Sequence, residues 1–548
     1  MLFIPPRHIT GLLLSIIFMS ICTPGASADS YCVKSDTDKI STLFDGGKEQ
    51  LRNIVAGGNR EKLMTTAYEV SFVSPIDTLT LRLDEWESAE VCMISAAGDS
   101  SMVSVTRRAV NPFENPSPEM RGVSPSGLLS REQAVFDVDA LVDGISNVHP
   151  DMFSECRQCD FFHAVKRIKQ SMPDSVSVGQ LYLALTPLVA MLGDGHTHLW
   201  LPVERILGPD TLCMPVKIKV GYDRTLTCRW SAHDVVPEGA VIESINGIAA
   251  DSIVSAMLPL VSGEREHFRL MRVDYDFDGL FHLMFPAEEY KIAYRIPGAR
   301  SAATATLAPV KRRDIIELES DDNDMAVCPY SYTVDAVSDV AVMDFRSFQD
   351  ERRMREFADS MFRELRERHI GNLIIDLRNN GGGNSMVGDV LLRYISPVPF
   401  TQMDRILVRV TPLAARLMNA RNVTPVFDFI EVPESDFIKP LSSEDGHYAG
   451  NVYLLTSGKT FSAAASFAWT FAECNIGTII GEETGGMSVS YGDKLWYHLP
   501  VSDLECGISF KRFWHLNADE DDIHGAMPDV TVPASVALDK ALSLIKRK

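Results

Sequence analysis

The sequence predicts a multi-domain α+β protein with an α/β core in its second half. Three observations carry that expectation. At 548 residues the chain is long enough for three or four separate cores. From about residue 335 onward apolar strands alternate with amphipathic helices, the pattern of a covered, mostly parallel sheet. Upstream, short alternating strand stretches give way to a proline-rich joint and then to helical periodicity. Hydrophobic residues make up 45% and charged residues 23%, ordinary values for a globular protein. The formal net charge of −22 argues against nucleic acid or an anionic membrane surface as the main partner.

Residues 1–28 read as a signal peptide. Arg7 and His8 precede the apolar run Ile9 to Cys22, and Ala26-Ser27-Ala28 fits an A-x-A cleavage site. No later segment is apolar for long enough to span a membrane, so an exported chain, periplasmic or extracellular, is expected. Residues 29–110 alternate in the strand manner at Tyr68–Val73, Leu79–Leu83 and Val91–Ile94, which predicts a β-rich N-terminal domain. Residues 111–127 hold Pro112, Pro116, Pro118 and Pro125 and read as a linker.

Residues 128–201 turn helical. Val138, Leu141, Val142 and Ile145 share one face, and Leu181, Leu185, Leu188 and Val189 another. Cys156 and Cys159, spaced C-x-x-C, offer a local disulfide in an oxidising compartment. The segment closes on a polar turn, Gly193 to Leu201, that holds His196 and His198. Two histidines without a third ligand predict no metal site. Residues 202–310 contain a turn, a strand at Ala240–Ile245, an Asn246-Gly247 turn and a helix start.

In the last region, residues 330–548, strands are predicted at Val340–Phe345 and Leu373–Leu377, with a helical stripe from Met354 to Leu365 between them. Arg378 to Ser385 forms a glycine-rich turn. It lacks the spacing of a nucleotide-binding loop, whereas its bare N–H groups suit approach to a carbonyl. Residues 397–450 read as an irregular insertion. Val452–Leu455 is a buried strand, and a helix begins after Ser462. Ser462 thus sits where a strand becomes a helix. There a serine serves either as an N-cap or as a nucleophile beside free N–H groups, and this stretch alone leaves both open.

Five short segments stand in a telling order: DGHT at 194–197, IIDLRNNGGG at 374–383, TFSAA at 460–464, GEETGG at 481–486 and GAMPD at 525–529. Their order resembles the tail-specific, or C-terminal-processing, serine peptidases, over roughly residues 130–548. The stretch GAVIESINGIAADSI also resembles the PDZ-like domain many of them carry. The resemblance implies a crotonase-like, ββα-spiral core with a PDZ-like module at 202–310, peptide or protein substrates, and no metal or organic cofactor. It implies Ser462 as nucleophile in TFSAA. Met487 follows Gly485-Gly486, where one branch of the family has a lysine base. The chain is therefore more similar to the tricorn-type branch, whose base is the histidine of the DGHT-like turn, here His196. That branch places a carboxylate just before the closing motif, which points to Asp522, with Glu520 and Asp521 beside it.

Acid–base chemistry agrees with that trio. A serine hydroxyl needs a neighbouring base, histidine titrates in the right range, and an acid orients it. The oxyanion would lie between the N–H groups of Ala463 and Gly382, with Gly381 and Gly383 beside the substrate. A non-catalytic peptide-binding member of the same fold, which Ala465 in place of a common glutamate would suit, and an esterase-type acyl hydrolase are the alternatives.

Overall fold

The computed structural model of the chain describes residues 127–315, 328–418, 428–432 and 437–546, together with backbone strands further upstream. The signal-peptide reading of 1–28 and the linker reading of 111–127 fall almost wholly outside the described residues. Between them, strands run at Ser30–Lys34, Glu69–Val73, Thr78–Arg82, Ser88–Ile94 and Ser100–Thr106. The second and third form an antiparallel pair. The first lies parallel to the fourth, which pairs antiparallel with the fifth.

The chain divides into two compact units. One takes the residues up to Leu192 together with Arg409–Phe429 and Leu495–Phe510; the other takes Gly193–Val408, Ile430–Lys494 and the residues from Lys511 on. In the first, helices α1 (Arg131–Val148), α2 (Gln158–Ser171) and α3 (Val178–Ala190) bury the predicted stripes. Ser130 and Ser177 each open a helix with a capping box, using Gln133 and Gln180 three residues on. Cys156 and Cys159 remain free thiols. Their Sγ atoms face the Met152 carbonyl (3.6 Å) and the Asp160 carboxylate (3.9 Å) rather than each other. Two later segments return to this unit and are pinned by buried polar groups. Thr411 Oγ1 donates to the Asn147 carbonyl at 2.6 Å. The N–H groups of Val501 and Ser502 both donate to the Asp137 carboxylate, at 2.9 and 2.7 Å.

The second unit opens with an antiparallel sheet in the order β1 (Val216–Val220), β2 (Leu226–Ser231), β3 (Val241–Ile245), β4 (Tyr290–Arg295) and β5 (Ala303–Leu307). Asn246 and Gly247 both take positive φ, 51° and 79°, so the predicted Asn-Gly turn closes a tight hairpin. Helices α4 (Ala250–Met257) and α5 (Glu266–Met284) follow β3 in the chain.

The main sheet runs β6 (Tyr330–Asp335), β7 (Val340–Phe345), β8 (Asn372–Asp376), β9 (Asn451–Thr456), β10 (Thr478–Gly481) and β11 (Val530–Thr531). Its first pair is antiparallel and every later pair parallel. Period two sorts the side chains onto two faces. Ala341, Met343, Phe345, Leu373, Ile375 and Leu454 pack under α6 (Glu351–Glu367), α7 (Ser385–Ile395) and α8 (Ala463–Glu473). Val340, Ile374, Tyr453, Leu455 and Ile480 meet α9 (Ala537–Ile545) on the other face. A sheet covered on both sides explains the uninterrupted apolar run of β8. The stretch 397–450 is less irregular than its composition predicts. It contains a strand, Arg405–Val410, and a short helix, Pro412–Leu417, that Thr411 caps.

Candidate active site

Ser462 closes the turn between β9 and α8 with φ 52° and ψ −130°. Such backbone is costly for a residue with a Cβ, about 1–3 kcal/mol, and is held only where surroundings enforce it. Its side chain makes no cap bond to α8, so the simple N-cap reading does not describe it. The neighbouring serines are engaged elsewhere. Ser457 Oγ donates to the Arg378 carbonyl at 2.6 Å, and Ser466 Oγ to the Ser462 carbonyl at 3.3 Å.

Hydrogen bonds draw the other motif segments around this turn. Thr460 Oγ1 donates to the Leu377 carbonyl at 2.8 Å, and Phe461 N–H to the Asn380 carbonyl at 3.2 Å. Gly485 N–H donates to the Thr460 carbonyl at 2.9 Å, and Ala526 N–H to Thr484 Oγ1 at 2.8 Å. The glycine loop therefore lies against the serine. A Cβ on Gly382, whose φ is 100°, would sit 2.7 Å from Ser462 Cβ and 2.8 Å from the Ala463 nitrogen. It would also lie 2.8 Å from the Phe461 carbonyl, so only glycine lets the loop close this tightly on the serine turn. A Cβ on Gly381 would meet nothing within 4 Å. On Gly383 it would strike the Phe348 carbonyl. The Gly382 N–H, expected as an oxyanion donor, is here donated to Asn380 Oδ1 at 2.9 Å.

His196 is brought to the same place. Its imidazole stacks on Phe461, the residue before Ser462, with ring centroids 4.5 Å apart, and Phe268 of α5 stacks on the far side of Phe461 at 4.1 Å. Neither ring nitrogen of His196 has a hydrogen-bond partner among the described residues, although both are buried. The stacking on Phe461 sets the imidazole beside the residue that precedes Ser462, and no hydrogen bond joins it to the serine hydroxyl. Burial pushes the imidazole down to about 4. His198 points its Nδ1 at the His196 carbonyl at 3.0 Å and is buried away from water.

Two carboxyl groups attend His196. Asp194 Oδ1 lies 3.9 Å from Nδ1, and its two oxygens accept the N–H groups of His196 (2.8 Å) and Thr197 (3.0 Å). Glu264 accepts the Gly195 N–H at 3.1 Å through Oε1. Burial and the Asp194 charge push Glu264 up to about 7. One atom each from Asp194, His196 and Glu264 lie within 4.8 Å of one another. That spacing is short enough for a cation, and the same three groups are also placed to exchange protons. Arg272 donates to the Gly195 carbonyl, and the charge of Lys494 is disfavoured by burial and by Arg272.

Asp522, expected as the third group, is not brought to His196. Its Oδ1 accepts the His524 N–H at 2.9 Å in a turn of its own. Asp521 N–H donates to Asp519, and Glu520 takes Trp514 Nε1 at 2.8 Å and Arg512 at 3.2 Å. The acidic run is thus spent on its own turn and on neighbouring side chains. Glu264 and Arg272 escaped sequence reasoning because they flank or lie in an unremarkable amphipathic helix. Asp194 was visible inside DGHT, where its type alone did not assign it a task.

Residues 339–532 match peptidase family S41. Among solved structures, mature CPAF complexed with lactacystin aligns at 11% identity with a TM-score of 0.55, over 76% of this chain and 97% of that one. The photosystem II D1 C-terminal processing protease aligns at 16% identity over 75% of this chain and 97% of its own, with a TM-score of 0.39. Tricorn protease aligns at 13% identity over 76% and 37%, with a TM-score of 0.32. The likeness in fold rests on the first of these.

Proposed function

We propose that this serine peptidase, whose residues 339–532 match peptidase family S41, cleaves peptide bonds through an acyl-enzyme on Ser462 with His196 as general base. The backbone of Ser462, held at φ 52° and ψ −130° at the mouth of α8, is the observation that carries this reading. His196 takes the hydroxyl proton as Oγ adds to the carbonyl carbon, then returns it to the leaving amine. Water repeats the sequence in reverse to release the acyl group. The Ala463 N–H holds the oxyanion, and the Gly381–Gly383 loop supplies the second donor once Gly382 releases Asn380. Asp194, rather than Asp522, stands beside the imidazole as the orienting carboxylate. A histidine base is the tricorn-type arrangement, and Met487 agrees with it because a thioether takes no proton. The core is read as a crotonase-like spiral and residues 202–310 as a PDZ-like module. The leader-like residues 1–28 place the work in the periplasm or outside the cell.

A fluorophosphonate probe should label the purified protein at Ser462. Ser462→Ala should abolish labelling and peptide turnover while the melting free energy stays within about 1–2 kcal/mol. Label on Ser457 or Ser466 would overturn the assignment, and turnover of esters without peptides would redirect it to an acyl hydrolase.

A further inference from the structure

We propose that Glu264 is a positioning residue for His196: its carboxylate orients the imidazole and steadies the imidazolium that forms as Ser462 attacks. The proposal rests on the serine–histidine reading above and extends it to a residue that lies outside the matched family segment.

Geometry is the ground for it. Glu264 immediately precedes Arg265, whose guanidinium pairs with Glu483, and α5, whose Phe268 stacks on Phe461. The residue is thus clamped from both directions against the segments that carry the nucleophile. Its Oε1 accepts the Gly195 N–H, which fixes the peptide next to His196. Its Oε2 is buried and has no hydrogen-bond partner among the described residues. The two nitrogens of His196, also buried, lack partners too. A buried acceptor and a buried imidazole without partners, a few ångströms apart, are an uncompensated cost unless another state of the site joins them. A small rotation of either side chain makes that bond, and it is worth most when the imidazole becomes charged. Asp194 already accepts the His196 and Thr197 N–H groups, whereas Glu264 Oε2 is the carboxylate oxygen without a partner among the described residues.

The charged groups around the imidazole are Asp194, Glu264, Asp493, Arg272 and Lys494. Among them Glu264, raised to about 7, changes charge in the neutral range. It holds a proton below that pH and is a carboxylate above it. The wild-type profile of kcat should therefore show a rise near pH 7 above a lower rise that belongs to His196.

The test is the pH profile of peptide turnover in Glu264→Gln beside wild type and Glu264→Asp. Glu264→Gln keeps an acceptor for Gly195 but removes the titration. It should lower kcat about tenfold or more, leave KM within about twofold, and erase the rise near pH 7. Glu264→Asp should keep that rise at a reduced rate, which preserves the reading should the glutamine variant fail to fold. In a His196→Ala background Glu264→Gln should cost nothing further, because it acts through the ring. Loss of rate without a change in the profile would mark Glu264 as structural and overturn the proposal, as would an unchanged enzyme. Should His196→Ala itself keep wild-type rates, the histidine reading falls. Should His196→Ala be inactive while Glu264→Gln behaves as wild type, only the present proposal falls.

Discussion

At the scale of single residues the site is a contest between burial and charge. Burial disfavours an imidazolium, so His196 is pushed down to about 4 rather than titrating at the 6–7 of a free imidazole. The sign follows directly. A protonated ring cannot accept the serine proton, so His196 limits turnover only as pH falls towards about 4. Acid inactivation of fluorophosphonate labelling, if reversible, should have its His196 limb there, and a limb at 6.5 for this group would contradict the burial. His196→Ala should reduce turnover to the level left by binding and the oxyanion site, a loss of about a thousandfold or more. His198→Ala should cost less, since the ring nitrogen of that residue is directed at the His196 carbonyl.

At the scale of elements, the loop and the elbow are fitted to each other. A side chain at 382 would collide with Ser462 Cβ, the Ala463 nitrogen and the Phe461 carbonyl, all within 2.8 Å of its Cβ. Gly382→Val should therefore lower kcat by about a hundredfold or more while circular dichroism shows an intact fold. Near wild-type turnover in that variant would remove the loop from the mechanism. These elements were the legible part of the sequence. β8, α6 and β9 announce themselves by apolar runs and by a stripe at helical spacing, and TFSAA and the glycine run mark their own turns. The acid was not legible. An acidic cluster such as Glu520 to Asp522 looks the same in sequence whether it faces a histidine or its own backbone, and only the hydrogen bonds decide. The strand and helix in 405–417 were missed because each is short and the helix depends on a single threonine cap.

At the scale of the whole molecule, neither the division of the chain nor the buried acid that pins it was legible, because both depend on contacts across hundreds of residues. Asp137, buried in α1, accepts the N–H groups of Val501 and Ser502, and burial raises it to about 6. Folded Asp137 thus keeps a proton at pH values where the unfolded chain, near 3.8, has lost it. Its contribution is complete below the unfolded value and declines as pH rises through about 6. Asn at this position does not titrate. The stability difference between wild type and Asp137→Asn, measured by urea denaturation, should accordingly shift against wild type between pH 4 and 7. A pH-independent difference would show that Asp137 is not protonated in the fold.

The way the elbow is enclosed also bears on biosynthesis. Gly382 lies against Ser462, Gly485 donates to the Thr460 carbonyl, and Thr484 beside Gly485 takes the Ala526 N–H. A ribosome emits Ser462 well before Ala526. During that interval the growing polypeptide carries its nucleophile without the segment that braces Thr484. Contacts of such long sequence separation form late and slowly. Translation order alone therefore leaves Thr484 without this brace until after the nucleophile has been made.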